Sequence, residues 1–127
     1  RRKQARMKLD AFENLVRDWT QESGDLILGH FRSPDLATDF KADASPVTLA
    51  DRETERLLRE KITERFPEHG ILGEEFGSER EDAEYVWLID PIDGTKSFIA
   101  ETPLFGTILC LQRNGIPLLG AIHLPAL

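Results

Sequence analysis

The sequence predicts an α+β domain in which two helices precede an antiparallel sheet. Two long segments with helical spacing of their apolar residues occupy the first half of the chain, and short apolar runs typical of strands follow. The last two runs flank Asn114-Gly115, a pair that favours the tight turn of a β-hairpin. Because the helical segments precede the strands instead of alternating with them, the order favours an α+β architecture over β-α-β units.

The first predicted helix runs from about Arg6 to His30. Its apolar residues recur every three or four positions, and Ser33-Pro34 ends it because the residue before a proline is driven out of the helical conformation. The polar stretch from Arg32 to Pro46 is predicted to be a mobile loop. A second amphipathic helix begins near Thr48 and ends at Pro67, since proline cannot continue a helix.

Four apolar runs in the second half of the chain are predicted to be strands. They are Ile71-Leu72, Val86–Ile89, Leu104–Leu111 and Pro117–Leu124. The last run continues almost wholly apolar to Leu127, as expected for a strand buried between neighbours. Either a partner covers it or the chain is the front part of a longer protein, and we expect the second.

Composition indicates one globular domain over residues 1–127, with 40% hydrophobic and 31% charged residues. The net charge of −7 argues against binding to the nucleic-acid backbone. No apolar run reaches the roughly 20 residues that span a bilayer, so no membrane partner is expected. Cys110 is the only cysteine, which excludes an internal disulfide and fits a reducing, cytoplasmic compartment. The histidines show no metal-ligand spacing and are expected at surface or packing positions: His30, His69 and His123.

The residues that follow the second predicted strand carry the strongest chemical signal. Pro91 fixes φ and Gly94 permits a tight reversal, so Asp90 and Asp93 can converge beyond the strand end. Residues 95–100 are predicted to form a short helix whose first amides can bind an anion such as phosphate. Paired carboxylates beside such amides suit a divalent cation that bridges to a phosphate. The alternative is a plain turn, since Asp-Pro and Asp-Gly are common turn pairs.

Two further segments contribute candidate site residues. Glu74 follows the first predicted strand, so two strand ends in one sheet could place it beside Asp90. The alternative is a solvated acidic loop, which we prefer for Glu75 and for the later acids up to residue 84. Thr48 and Asp51 have the spacing of a helix start, where Thr48 caps and Asp51 faces the positive end of the helix dipole. The pattern does not separate a cap from a catalytic pair, and both roles can coexist.

Together these motifs closely resemble the inositol monophosphatase family of metal-dependent phosphatases. The resemblance rests on Asp90-Pro-Ile-Asp-Gly-Thr95, on Glu74-Glu75 upstream of it, and on Ser45-Pro-Val-Thr-Leu-Ala-Asp51, with matching order and spacing. It covers essentially the whole chain, but only the front half of the usual length in that family.

Within the family, the chain looks most like the histidinol-phosphate phosphatase branch. The segments Asp93–Ile99 and Pro103–Thr107 carry this likeness, and inositol phosphatases more often have Thr-Asn where this chain has Lys96-Ser97. The resemblance implies Mg²⁺-dependent hydrolysis of histidinol phosphate by a metal-activated water, in histidine biosynthesis. The alternatives are a phosphatase for inositol-1-phosphate or another sugar or nucleotide phosphate, and a non-catalytic fragment that binds metal or dimerises through its exposed strand.

The resemblance also implies a metal role for each acidic motif residue. Glu74 and Asp90 would bind the first Mg²⁺ together with the backbone carbonyl of Ile92. Asp90 and Asp93 would share a second ion, and Glu74 would help to hold a third.

Further roles follow from motif position in the same way. The residues implied in catalysis are Asp51, Thr95 and Glu74, of which Asp51 and Thr95 would orient and deprotonate the attacking water. The residues implied in phosphate binding are Asp93, Gly94 and Thr95. Two residues would lie on a mobile loop that closes near the site: Lys41 and Asp43.

The family fold implied by the resemblance is layered α-β-α-β-α, and this chain would supply the two leading helices and most of the first, largely antiparallel sheet. A further metal-binding Asp and most substrate-recognition residues come from a later Trp-Asp segment that this sequence lacks. We therefore expect the 127-residue piece alone to have little or no turnover. A small phosphorylated metabolite, a homodimer and inhibition by Li⁺ are further implications.

Overall fold

A computed structural model describes residues 2–33, 38–40 and 46–127. The helices are α1 (Arg2–His30), α2 (Leu49–Arg65) and α3 (Thr95–Ile99). The strands are β1 (Thr38–Phe40), β2 (Pro46–Thr48), β3 (Gly70–Gly73), β4 (Gly77–Glu79), β5 (Tyr85–Asp93), β6 (Gly106–Arg113) and β7 (Ile116–His123). Both long predicted helices, the short third helix and the four predicted strands are present, so the expected α+β order is confirmed.

The segment from Arg32 to Pro46 is not wholly a loop, and the prediction for it was wrong in part. Strands β1 and β2 pair antiparallel there, with Thr38 opposite Thr48. Strands of three residues are too short to show the alternation by which a sequence reveals a strand, and their pairing is set by the tertiary structure. Lys41 and Asp43 lie outside the described residues, so their place on a closing loop stays a prediction.

The five-stranded sheet has the strand order β4-β3-β5-β6-β7. All neighbours in it are antiparallel except β3 and β5, which run parallel with Gly73 opposite Ile89. The predicted hairpin joins β6 to β7, where Asn114 and Gly115 both have positive φ, 50° and 79°. Strand β4 was not predicted, because its sequence Gly-Ser-Glu has no apolar residue. Glu79, expected in a solvated acidic loop, ends this strand.

Helices α1 and α2 pack on one face of this sheet. The buried residues that fill the space between them are Val16, Trp19, Leu58, Ile62, Ile71, Trp87, Ile89, Leu109 and Leu111. A second, smaller cluster lies around α3 and consists of Ile27, Ala50, Ile92, Phe98 and Phe105. Burial of each large apolar side chain stabilises the fold by about 1.5–3 kcal/mol. The second cluster therefore fixes the end of β5 and the short helix after it.

The other face of the sheet is open in the described part of the chain. Leu72 is 48% exposed there and, with Leu88, Ile108 and Cys110, lines a cavity of about 490 Å³. Strand β7 pairs only with β6 among the described residues, so the expectation that this apolar run is buried between neighbours is not met in them. No helix in the described ranges is long and apolar enough to cross a membrane.

Candidate active site

A β-bulge near the end of β5 brings two carboxylates to one face of the sheet. Asp90 pairs with Ile108 and Asp93 with Gly106, so β5 has one more residue than β6 between these pairs. Ile108 and Gly106 are two positions apart on β6 and therefore point to the same face. Their partners Asp90 and Asp93 share that face although they are three positions apart in sequence. The predicted convergence thus has a structural basis in the bulge.

Side-chain hydrogen bonds hold the bulge in place. The Thr107 hydroxyl is fully buried and donates to the Pro91 carbonyl at 2.8 Å, which satisfies a buried backbone acceptor. Thr95 Oγ1 lies 3.0 Å from the Ile92 carbonyl oxygen and 3.1 Å from Asp51 Oδ1, so its single proton is shared between these two acceptors. Gly94 then starts α3 at φ 85°, a left-handed conformation that glycine adopts without strain. The reversal predicted at Gly94 is therefore present.

The Asp51 carboxylate lies between the start of α2 and the start of α3. It is 2% exposed, and its Oδ2 accepts from the Thr48 amide at 2.8 Å and from the Thr48 hydroxyl at 2.6 Å. The Asp51 amide donates to the Thr48 hydroxyl oxygen in return, which completes a capping box. The other carboxylate oxygen, Oδ1, accepts from the Thr95 hydroxyl at 3.1 Å. One carboxylate thus caps the helix and also contacts Thr95.

Glu74 follows β3 at the same edge of the sheet. Because β3 and β5 are parallel, their carboxyl ends meet there, and Glu74 and Asp90 line the same cavity. The Glu74 amide donates to the Ile89 carbonyl at 3.2 Å, which ties the residue to β5. Within the described ranges, no three His, Cys, Asp or Glu side chains are close enough to hold a metal ion.

The chemistry of the donors at this edge fits a hard divalent cation. Glu74, Asp90 and Asp93 offer carboxylate oxygens, and Ile92 offers a backbone carbonyl oxygen. Ligand sets made only of oxygen favour Mg²⁺ or Ca²⁺ over zinc. The roles of these residues as metal ligands stay a prediction.

Sequence reasoning missed Glu55, a fully buried carboxylate on α2. Its Oε1 accepts from the Glu75 amide at 2.8 Å, and its Oε2 accepts from the Phe76 amide and from Arg59 Nε, both at 2.9 Å. A signal for it was present, since Glu55 has the helical spacing of the apolar stripe that includes Leu58 and Ile62. A charged residue in such a stripe indicates a buried polar contact.

Comparison with known proteins identifies the family of this chain. Residues 8–127 match the sequence profile of the inositol monophosphatase family. The chain belongs to the inositol monophosphatase family. The resemblance predicted from the motifs is thereby confirmed.

Several known proteins are similar to this chain. It is 43% identical over 122 residues to the chloroplastic bifunctional phosphatase IMPL2 of Arabidopsis thaliana, covering 94% of this chain and 35% of that protein. It is 42% identical over 113 residues to a histidinol-phosphatase of Chlorobaculum parvum, covering 89% and 44%. An inositol monophosphatase structure from Zymomonas mobilis has a TM-score of 0.74 and 41% identity, over 91% of this chain and 44% of that one.

The chain therefore spans less than half the length of these three proteins. Over that span the fold is shared, and the expected contribution of two leading helices and a largely antiparallel sheet is confirmed.

Proposed function

We propose that this inositol monophosphatase family chain carries the metal-binding part of a Mg²⁺-dependent phosphomonoesterase that hydrolyses histidinol phosphate. The observation that carries the proposal is the placement of the Asp51–Thr95 contact directly after the bulge that brings Asp90 and Asp93 to one face. Similarity to a protein named histidinol-phosphatase supports the choice of substrate.

The residues that would hold Mg²⁺ are Glu74, Asp90, Asp93 and, through its carbonyl, Ile92. When the Thr95 hydroxyl donates its single proton to Asp51, both lone pairs of the Ile92 carbonyl are available to a cation, and when it donates to Ile92, one lone pair remains. When bound, Mg²⁺ lowers the pKa of a water and neutralises the charge that develops on the departing ester oxygen.

Asp51 and Thr95 would orient and deprotonate the attacking water. Thr48 holds Oδ2 of Asp51, so Oδ1 is fixed toward Thr95. While the Thr95 hydroxyl donates to Asp51, its own oxygen is an acceptor for a proton of the water. As the water oxygen bonds to phosphorus, the bond from phosphorus to the ester oxygen breaks. The water proton passes to Thr95 Oγ1, the Thr95 proton passes to Asp51, and the departing alkoxide takes up a proton from solvent. Proton relay of this kind contributes about 10²–10⁴-fold to a rate.

The phosphate group would bind at the start of α3. The first amides of a helix have no acceptor within the helix and point toward an anion. Gly94 and Thr95 supply these amides next to Asp93. The phosphate would thereby lie between the amides and the carboxylates that hold the cation.

Phosphate release by the natural full-length protein tests this function. Histidinol phosphate and inositol-1-phosphate are compared as substrates, each with Mg²⁺ and with EDTA. We expect turnover that requires Mg²⁺ and strongly prefers histidinol phosphate. The absence of turnover with both esters would contradict the proposal.

Inositol-1-phosphate is the second candidate substrate, because the chain is 41% identical to an inositol monophosphatase of known structure. A preference for inositol-1-phosphate in the same assay would keep the reaction and replace the substrate.

A further inference from the structure

The loop that contains Glu74 is held by hydrogen bonds to one backbone carbonyl and one side-chain carboxylate. Residues 74–76, here called the Glu74 loop, connect β3 to β4. The Glu74 amide donates to the Ile89 carbonyl, whereas the Glu75 and Phe76 amides both donate to the carboxylate of Glu55. Two of the three consecutive amides of this loop therefore depend on one side chain of α2.

Arg59 holds the Glu55 side chain in place. Its Nε donates to Glu55 at 2.9 Å, its Nη1 donates to Glu79 at 2.8 Å, and its Nη2 donates to the Gly77 carbonyl. A buried carboxylate is tolerated only when charge and hydrogen bonds compensate it. Glu55 meets that condition with three donors, and Arg59 also bridges to the strand that follows the Glu74 loop.

Gly73 shows how closely Glu55 approaches the backbone before Glu74. A Cβ atom at Gly73 would overlap the Glu55 carboxylate. Gly73 does not have a positive φ, so the glycine is required for space rather than for backbone conformation. The glycine of the Gly73-Glu74-Glu75 motif is thus explained by a side chain of α2.

One face of α2 links the Glu74 loop to the Asp51–Thr95 contact. Asp51, Glu55 and Arg59 are spaced four residues apart, which places them on the same side of the helix. Arg56 adds a contact through its guanidinium group, 4.9 Å from the centre of the Phe76 ring. Since a helix rises about 1.5 Å per residue and is stiff, it sets the spacing between the two halves of the site.

We propose that Glu55 is a positioning residue that, together with Arg59, holds the Glu74 loop so that the Glu74 carboxylate is placed to bind Mg²⁺. In this proposal Glu55 acts through the Glu74 loop and is not itself a ligand of the ion. The inference rests on the proposed function, because it concerns the metal site of that reaction. Residues that orient metal ligands in this way usually change metal affinity about 10–100-fold when replaced.

The test uses Glu55→Gln in the natural full-length protein. A glutamine keeps the size of the side chain, but its NH₂ group would face an N–H donor where a carboxylate oxygen now accepts. Mg²⁺ binding is measured by titration calorimetry, and phosphate release is measured against Mg²⁺ concentration. We expect the half-saturating Mg²⁺ concentration to rise about tenfold in both measurements, with kcat recovered at saturating Mg²⁺. Amide hydrogen exchange at Glu75 and Phe76 should become faster.

Glu60→Gln is the matched control, since Glu60 is an exposed carboxylate on the same helix. We expect it to bind Mg²⁺ as the wild type does. A purely structural role of Glu55 would lower the folded fraction and the melting temperature without moving the half-saturating Mg²⁺ concentration, and this result would overturn the inference.

A second variant covers the case in which Glu55→Gln does not fold. Arg59→Lys keeps the positive charge but cannot bridge Glu55, Glu79 and the Gly77 carbonyl at once. We expect it to raise the half-saturating Mg²⁺ concentration in the same direction, and an unchanged value would overturn the inference. If the wild type binds Mg²⁺ and either folded variant matches it, the inference alone fails. A wild type without Mg²⁺ binding overturns the proposed function as well.

Discussion

At the scale of single residues, the two oxygens of the Asp51 carboxylate have different partners. Oδ2 is held by Thr48 in the capping box, and Oδ1 accepts from Thr95. The cap fixes the carboxylate in a buried place, so its orientation toward Thr95 does not depend on substrate. Loss of the Thr95 hydroxyl should therefore affect the reaction directly and leave the capping box at the start of α2 intact.

Thr95→Val tests this assignment. Valine keeps the branched shape of threonine and removes the hydroxyl, so we expect kcat for phosphate release to fall about 10²–10⁴-fold. Thr102→Val is the control, because Thr102 is exposed and its hydroxyl bonds only to the Ser97 carbonyl among the described contacts. Equal kcat values for Thr95→Val and the wild type would contradict the proton relay.

His69 has a packing role, as predicted for the histidines. It is 5% exposed, stacks against Phe66 and Tyr85 with ring centres 4.4 and 4.9 Å away, and accepts from Trp87 Nε1 at 3.0 Å. Burial lowers the pKa of His69, and the nearby Glu68 and Glu84 carboxylates act in the opposite direction. The imidazole is therefore held in its neutral form.

This lowered pKa makes folding stability depend on pH. The unfolded chain takes up a proton near pH 6.5, whereas the folded protein does so only at a lower pH. The contribution of His69 is thus fully present above about pH 6.5 and is lost as the pH falls below it. Urea unfolding of the wild type and of His69→Gln at about pH 7.5 and about pH 5.5 measures it. We expect the wild type to lose more free energy of unfolding over this range, and equal losses would contradict the assignment.

Residues with a local pattern could be predicted from the sequence, and residues defined by tertiary contacts could not. Thr48 and Asp51 were placed at a helix start by their spacing, and the capping box confirms it. The role of Glu55 was not predicted because its partners, the amides of Glu75 and Phe76, are distant in sequence. Nothing local distinguishes it from the solvated glutamates of the same helix except its position in the apolar stripe.

At the scale of secondary-structure elements, the bulge in β5 is the feature that organises the site. Without it, Asp90 and Asp93 would point to opposite faces of the sheet, because side chains alternate along a strand. The Thr107 hydroxyl supports the bulge through the Pro91 carbonyl, and both residues are buried.

Thr107→Val should therefore destabilise the protein. The substitution keeps the shape and leaves the buried Pro91 carbonyl without its donor, at a cost of about 1–3 kcal/mol in the free energy of unfolding. Urea denaturation measures this loss. Thr63→Val, at an exposed position on α2, is expected to change stability by less than about 0.5 kcal/mol. An unchanged stability of Thr107→Val would show that the hydroxyl does not support the bulge.

The elements that could be predicted are those with an apolar run, which in β3 consists only of Ile71 and Leu72. Helices α1 and α2 and strands β3, β5, β6 and β7 follow from periodicity and turn residues. The short strands β1, β2 and β4 do not, since three residues give no period and their pairing depends on neighbours. The register shift in β5 likewise arises from its pairing with β6.

At the scale of the whole molecule, one face of the sheet is covered by helices and the other is open in the described residues. The open face carries the cavity lined by Glu74, Asp90 and Leu72. The chain spans 35% to 44% of the length of the three proteins compared with it. The homodimer implied by the resemblance stays a prediction.

We predict that the 127-residue chain by itself releases little or no phosphate. The resemblance assigns a further metal-binding Asp and most substrate contacts to a later segment, so the site formed by this chain alone would be incomplete. Phosphate release by this piece and by the natural full-length protein, at the same Mg²⁺ concentration, measures the difference. Equal turnover would contradict the assignment of essential site residues to a later segment.

Calorimetric titration of the natural full-length protein shows whether the carboxylates at the end of β5 bind Mg²⁺. Wild type, Asp90→Asn and Asp82→Asn are compared, the last as a charge-matched control at an exposed position in the turn before β5. We predict that the wild type and Asp82→Asn bind Mg²⁺ alike, whereas Asp90→Asn binds it much more weakly. Equal binding by Asp90→Asn and the wild type would contradict a metal site at Asp90.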